Sequence, residues 1–297
     1  MLSYQLLDVF TDKPFGGNQL AVFINPGDLS TEMMQAIAKE FNLSEITFVF
    51  PPEKPENTYR VRIFTPTVEM PTAGHPTIGT AFALLRQGLV QPGKIRFEEN
   101  IGVIPVSISQ VGDFTLISMQ QANPTFGEVI KHRAIVADIL SLEESDLMDD
   151  YPIEIVSTGV PYAFVPVKTL SAMHRIRMKA DQWITFAQPY ESLYGVFAFT
   201  METELPGSTV HSRMFAPMLG IIEDPATGSA SGPLGSYLVK HGLVQTQNNV
   251  AAIVSEQGIE MGRPSIIQIR IETENDRIVD VDVGGTAVYM GAGVLQI

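Results

Sequence analysis

The sequence repeats itself. "RIFTP" at 62–66 returns as "RMFAP" at 213–217, and each is followed by a glycine-containing step and a helix-like run of small residues. The exits match as well, "RQGLV" at 86–90 and "KHGLV" at 240–244. From Arg62 to Gly88 is 26 positions and from Arg213 to Gly242 is 29, so the second copy carries a short insertion. Upstream, "FGGNQLAVF" at 15–23 parallels "STGVPYAFVPV" at 157–167; downstream, "IRFEENIG" at 95–102 parallels "IVSEQGIE" at 253–260. Four matches in one order restrict the fold to two copies of one supersecondary unit.

Strand patterns rich in Val, Ile, Phe and Thr fall at 4–10, 19–24, 46–50, 59–64, 103–109 and 114–119, with a comparable series at 153–156, 162–168, 195–200, 209–215, 251–255, 265–272 and 278–290. Helical patterns are fewer, at 30–41, 76–87, 131–140, 180–188 and 229–241. They do not alternate with the strands one for one, which argues against a doubly wound parallel sheet. The expected fold is α+β, two pseudo-symmetric domains, each a mixed or antiparallel sheet curled around one central helix, 76–87 or 229–241. "TIGTAFALL" and "SASGPLGSYLV" mix small and large residues as a buried helix requires, and Gly88 and Gly242 fit the position just past a helix end. The polar stretch 121–131, "QANPTFGEVIK", has turn residues and no periodicity. It divides the chain into domains 1–121 and 122–297, with the last strand free to cross to the first half.

Composition narrows the chemistry. The net charge of −14 argues against nucleic acid or an anionic membrane as a partner, since both need clustered Lys and Arg. No stretch approaches the roughly 20 apolar residues of a membrane span, and "MLSYQLLDVF" has neither a basic start nor a cleavage site, so a cytoplasmic protein is expected. Zero cysteines remove thiol nucleophiles, thiolate metal sites and disulfides together. Gly284-Gly285 lacks the context of a dinucleotide site, there is no P-loop, and His132 and His241 show no metal-ligand spacing. No cofactor and no metal are expected.

Acid–base work then falls to carboxylates and histidines. "TAGHPT" at 72–77 places Gly74 and His75 before a helix where Ser, Thr, Asp or Asn would cap better, and "EDPATGSA" at 223–230 repeats the arrangement with Asp224, Thr227, Gly228 and Ser229. Small residues at a helix start let a carboxylate ligand approach backbone N–H groups. Asp224 reads equally as a plain N-cap, and His75 alone reads as a packing or capping residue; the recurrence shifts the weight to function. Glu45 in "NLSEITFVF" precedes a strand, so Asn42 and Glu45 have no helix to box, and burial beside apolar neighbours would raise its pKa toward the range useful for proton transfer. Asn18, after Gly16-Gly17, is a turn residue or an amide donor. Tyr162, Met214, His174 and His211 read as packing or surface residues.

These segments, with "DVFTDKPFGGNQLAVF" at 8–23, "LSEITFV" at 43–49 and "EQGIEMGRPS" at 256–265, resemble the PhzF-like phenazine-biosynthesis isomerase family, which shares the fold of diaminopimelate epimerase. The resemblance spans nearly the whole chain. It implies an active site between the two domains, Glu45 as general acid–base, and His75, Asp224 and Ser229 around a small carboxylate substrate. Asn18, Gly74, Thr227 and Gly228 would complete the binding groups, and the assembly would be a homodimer. Related racemases use two cysteines at the helix starts; this chain has none, so a two-thiol racemase is excluded. The implied reaction moves a proton between carbons without a cofactor. A thiol-independent two-base epimerase and a non-catalytic ligand-binding protein remain the alternatives.

Overall fold

The computed structural model describes every residue except 113, 191, 192 and 194. The chain divides into two compact units, Met1–Gln120 with Asp282–Ile297, and Gln121–Val281. The first contains β1 (Leu2–Val9), β2 (Asn18–Ile24), α1 (Thr31–Phe41), β3 (Glu45–Phe50), β4 (Tyr59–Phe64), β5 (Glu69–Met70), α2 (Gly74–Arg86), β6 (Gly93–Glu99), β7 (Gly102–Val111) and β8 (Phe114–Gln121). The second contains β9 (Thr125–Ile130), α3 (Arg133–Ile139), β10 (Ile153–Ser157), β11 (Pro161–Pro166), α4 (Leu170–Arg175), α5 (Ala180–Ala187), β12 (Gly195–Thr200), β13 (Val210–Ala216), β14 (Ile221–Asp224), α6 (Gly228–Lys240), β15 (Val250–Gln257), β16 (Ser265–Glu274) and β17 (Arg277–Gly285). The division falls inside β17, and the final strand, β18 (Ala287–Leu295), belongs to the first unit, where it pairs with β1.

The two sheets follow one plan. In the first unit β18, β1 and β2 are antiparallel, β2–β3 parallel, β3–β4 antiparallel, β4–β6 parallel, and β6–β7–β8 antiparallel. In the second, β9–β10–β11 are antiparallel, β11–β12 parallel, β12–β13 antiparallel, β13–β15 parallel and β15–β16 antiparallel. Each copy thus has the same sequence of pairings. Side chains repeat as well: Arg62 forms a two-pronged ion pair with Glu69 and lies over Phe64, and Arg213 does the same with Glu223 and Phe215.

One face of each sheet wraps a buried helix. α2 packs against β1, β2, β3, β7 and β18; α6 packs against β10, β11, β15 and β16. The approach is close enough that glycine is required. A Cβ on Gly79 would lie 2.5 Å from Leu20 Cδ2 and 2.7 Å from Val9 Cγ2, and one on Gly235 would lie 2.6 Å from Ile269 Cγ2. On the other face, Phe23, Phe48 and Phe64 meet Met34 and Ile37 of α1 in the first unit. In the second, Trp183 joins residues of α3, α4 and α5 against Ala163, Val165 and Val196.

Three expectations are corrected. The stretch 121–131 is not a plain linker: Thr125–Ile130 is a strand whose side chains, apart from Ile130, are half-buried or exposed, which erased its periodicity. The run 278–290 is two strands parted at Thr286, whose carbonyl accepts the Phe10 N–H instead of continuing the ladder. Residues Gly93–Glu99, "GKIRFEE", form a strand that the sequence hid behind its exposed Lys94 and Arg96.

Candidate active site

In the first unit the site is built where β2, β3 and α2 begin. α2 starts at Gly74, two positions before Pro76, with Ala73 as an extended N-cap that supplies no side-chain acceptor. His75 is therefore a first-turn residue and is buried at 3% exposure. Its Nδ1 lies 3.2 Å from the Asn18 amide nitrogen and its Nε2 lies 3.6 Å from Glu45 Oε2. The gap to Glu45 is longer than a hydrogen bond. Burial pushes the His75 pKa down to about 3, against a pull upward from the Gln19 backbone, so the imidazole is neutral at ordinary pH. Glu45, the first residue of β3, keeps 12% of its side chain accessible.

A second carboxyl stands under the same helix start. Glu99, at the end of β6, has its oxygens 2.5 Å from the Thr72 hydroxyl and 2.6 Å from the Thr77 hydroxyl, and Thr77 also lies 2.6 Å from the Ala73 carbonyl. Two hydroxyl protons face three acceptor oxygens. A proton on Glu99 completes the set, and burial, opposed by the threonine hydrogen bonds, pushes its pKa up to about 7.

In the second unit the corresponding helix start is held by an amide. Gln257 Oε1 accepts the Thr227 N–H at 3.1 Å, while its Nε2 lies 2.7 Å from the Asp224 carbonyl and 3.0 Å from Thr227 Oγ1. The Thr227 hydroxyl donates to the buried Asp224 carboxylate. Asp224 ends β14, and Thr227 is the N-cap of α6, so the reading of Asp224 as an N-cap is corrected: the helix starts too late for it. Ser229 shares a 2.9 Å hydrogen bond with the Tyr162 hydroxyl, and the Gly228 carbonyl accepts from Gln121.

The expected residues thus gather in two groups: Asn18, Glu45, Gly74 and His75 in the first unit, and Asp224, Thr227, Gly228 and Ser229 in the second. Sequence reasoning passed over Glu99 and Gln257 and read Tyr162 as a packing or surface residue, whereas its hydroxyl bonds Ser229. For the first two a signal existed, because the match of "IRFEENIG" with "IVSEQGIE" sets Glu99 opposite Gln257, and the ladder register of Arg60 on Glu98 and His211 on Glu256 confirms that match.

Residues 7–293 match the family described as "Phenazine biosynthesis-like protein". The chain belongs to this family. A trans-2,3-dihydro-3-hydroxyanthranilate isomerase of Pseudomonas chlororaphis is 34% identical over 297 residues, covering 99% of each chain. The crystal structure of a Bacillus anthracis phenazine biosynthesis protein of the PhzF family superposes with a TM-score of 0.92 at 29% identity, covering 100% of this chain and 99% of its own. At the level of fold alone, a probable proline racemase of Agrobacterium radiobacter has a TM-score of 0.68 at 10% identity, covering 100% of this chain and 93% of its own. Like its relatives, this member of the phenazine biosynthesis-like family is an isomerase. Among its described residues no helix is long and apolar enough to cross a membrane.

Proposed function

We propose that the enzyme moves a proton between carbons of a small cyclic or amino carboxylate, without a cofactor, using Glu45 as the general acid–base. The observation that carries this reading is the neutral His75 beside a partly accessible Glu45. An imidazolium there would hold the carboxylate ionised and weaken it as a base. A neutral ring leaves Glu45 able both to take a proton from an acidified C–H and to return it at another carbon. His75 and Asp224 orient or protonate substrate heteroatoms. The first-turn N–H groups of α2 and α6, which receive no side-chain cap from Ala73 or Thr227, suit a substrate carboxylate, with Asn18, Gly74, Thr227, Gly228 and Ser229 as binding groups. A cytoplasmic homodimer is part of this reading.

The test is proton NMR in D₂O with trans-2,3-dihydro-3-hydroxyanthranilate and a panel of cyclic amino and hydroxy carboxylates. The expected result is deuterium at a new carbon with the native enzyme and a rate about 10²–10⁴-fold lower for Glu45→Gln. Deuterium at the original carbon with inversion would establish an epimerase instead. Equal incorporation by the variant would remove Glu45 from its role.

A further inference from the structure

The second unit departs from its own repeat at one place. In both units a buried glutamate near the end of a strand accepts two successive backbone N–H groups: Glu98 takes those of Glu53 and Lys54, and Glu256 takes those of Glu204 and Leu205. The residue paired with that glutamate across the ladder is Arg60 in the first unit and His211 in the second. In the first unit Arg60 supplies a permanent cation, 3.5 Å from Glu53. In the second, Glu204 meets His174 at 2.6 Å, and His211 joins Glu256 through Nδ1 at 2.9 Å and Glu260 through Nε2 at 3.0 Å. A fixed cation has been exchanged for two imidazoles and an additional carboxylate.

Two imidazoles and a carboxylate stand close enough together here to share one ion. We propose that His174, His211 and Glu260 bind a divalent metal ion of the Zn²⁺ type, with Glu204 beside them, 2.6 Å from His174 Nε2. One ring nitrogen of each histidine and a Glu260 oxygen lie within 4.8 Å of one another, with Glu260 Oε1 3.0 Å from His211 Nε2 and 4.0 Å from His174 Nε2. Ligands about 2.0–2.2 Å from a tetrahedral zinc stand roughly 3.3–3.5 Å apart, so shifts of under about 1.5 Å complete the site. The buried His211 uses its other nitrogen on Glu256, the carboxylate–histidine–metal arrangement that fixes the tautomer and aims the ligand. Glu260 Oε2 is buried without a hydrogen-bond partner, and the half-exposed His174 provides the entry side. The nearest fixed cation, Arg213, is 3.9 Å from Glu260 and is already paired with Glu223. Imidazole and carboxylate together suit zinc better than calcium or magnesium.

The metal would clip three segments that the sequence keeps far apart: α4, β13 and the turn after β15. That spacing, 37 residues from His174 to His211 and 49 from His211 to Glu260, is why no short motif announced it. The last segment follows Gln257 directly, so the clip would steady the residue that holds Asp224 and Thr227.

The full-length protein, stripped with EDTA and dialysed, is titrated with ZnCl₂ by calorimetry, and Co²⁺ is substituted for visible spectroscopy. One equivalent should bind, with the absorption of tetrahedral nitrogen- and oxygen-ligated cobalt. His174→Ala, at an exposed position, should weaken binding at least about 10-fold, and Glu256→Gln, which alters both the group behind His211 and the acceptor of the Glu204 and Leu205 N–H groups, about 10–100-fold. His132→Ala, elsewhere on the surface, should change nothing. Absence of a saturable site, or equal weakening by His132→Ala and His174→Ala, would overturn the proposal and leave an ion-pair cluster.

Discussion

His75 and Glu99 sit on one helix start and are driven in opposite directions by the same burial. An unfolded chain protonates the histidine below about 6.5, while the folded one keeps it neutral down to about 3, so its contribution to stability is lost as pH falls through that window. Glu99 behaves inversely. The unfolded chain ionises it above 4.5 and the folded chain holds the proton to about 7, so its contribution is present below 4.5 and disappears as pH rises through 7. At about 1.36 kcal/mol per unit this is worth roughly 3 kcal/mol. Glu99→Gln should therefore gain on the native protein as pH rises from 5 to 8, a comparison made by urea denaturation at the two ends. The repeat supports the substitution, since Gln257 already fills the matching place. Glu45 and His75 were legible because both stand beside unusual local grammar, a glutamate opening an apolar strand and a histidine where a cap belongs. Glu99 was legible only through the repeat: "FEEN" carries two adjacent carboxylates, and only the strand pleat decides which of them faces the helix.

At the scale of elements, the repeat was readable and the sheet edges were not. The two central helices announced themselves through small residues and terminal glycines, and their starts moved by only one or two positions. β6 and β9 were hidden because their outward residues, Lys94, Arg96, Thr125 and Glu128, look like loop residues when no partner strand is known. The turn after β15 shows how tightly an element can depend on one residue. Gly258 has φ +74°, and a Cβ there would lie 2.5 Å from the backbone oxygens of both Arg263 and Pro225. Neither can retreat as a side chain would. Gly258→Ala should cost about 3 kcal/mol by denaturant melting, combining left-handed strain with a backbone clash, and should reduce turnover by disturbing Gln257 next to it.

At the scale of the whole chain, the decisive feature is the return of β18 to the first unit. It pairs with β1 over the full length of that strand, from Leu2 opposite Leu295 to Val9 opposite Ala287, with one bulge between Leu6 and Leu7. A chain ending at Val281 would leave the outer side of β1 with unpaired N–H and C=O groups. Such a truncation should aggregate on size-exclusion chromatography. Hydrogen exchange should show fast amides in β1 while those of β12 and β13 stay protected. The sequence left this strand free to cross over but merged it with its predecessor, because the break at Thr286 depends on a hydrogen bond to Phe10, at the other end of the chain.

The same return imposes an order on synthesis. The second unit is one unbroken segment, Gln121–Val281, so all of it is translated before Asp282–Ile297, the stretch that gives the first unit its strand β18. The part translated first, which carries Glu45 and His75, cannot close until those residues emerge. A prematurely released chain therefore lacks the β1–β18 ladder, and the unit that carries Glu45 and His75 is the last to complete its sheet.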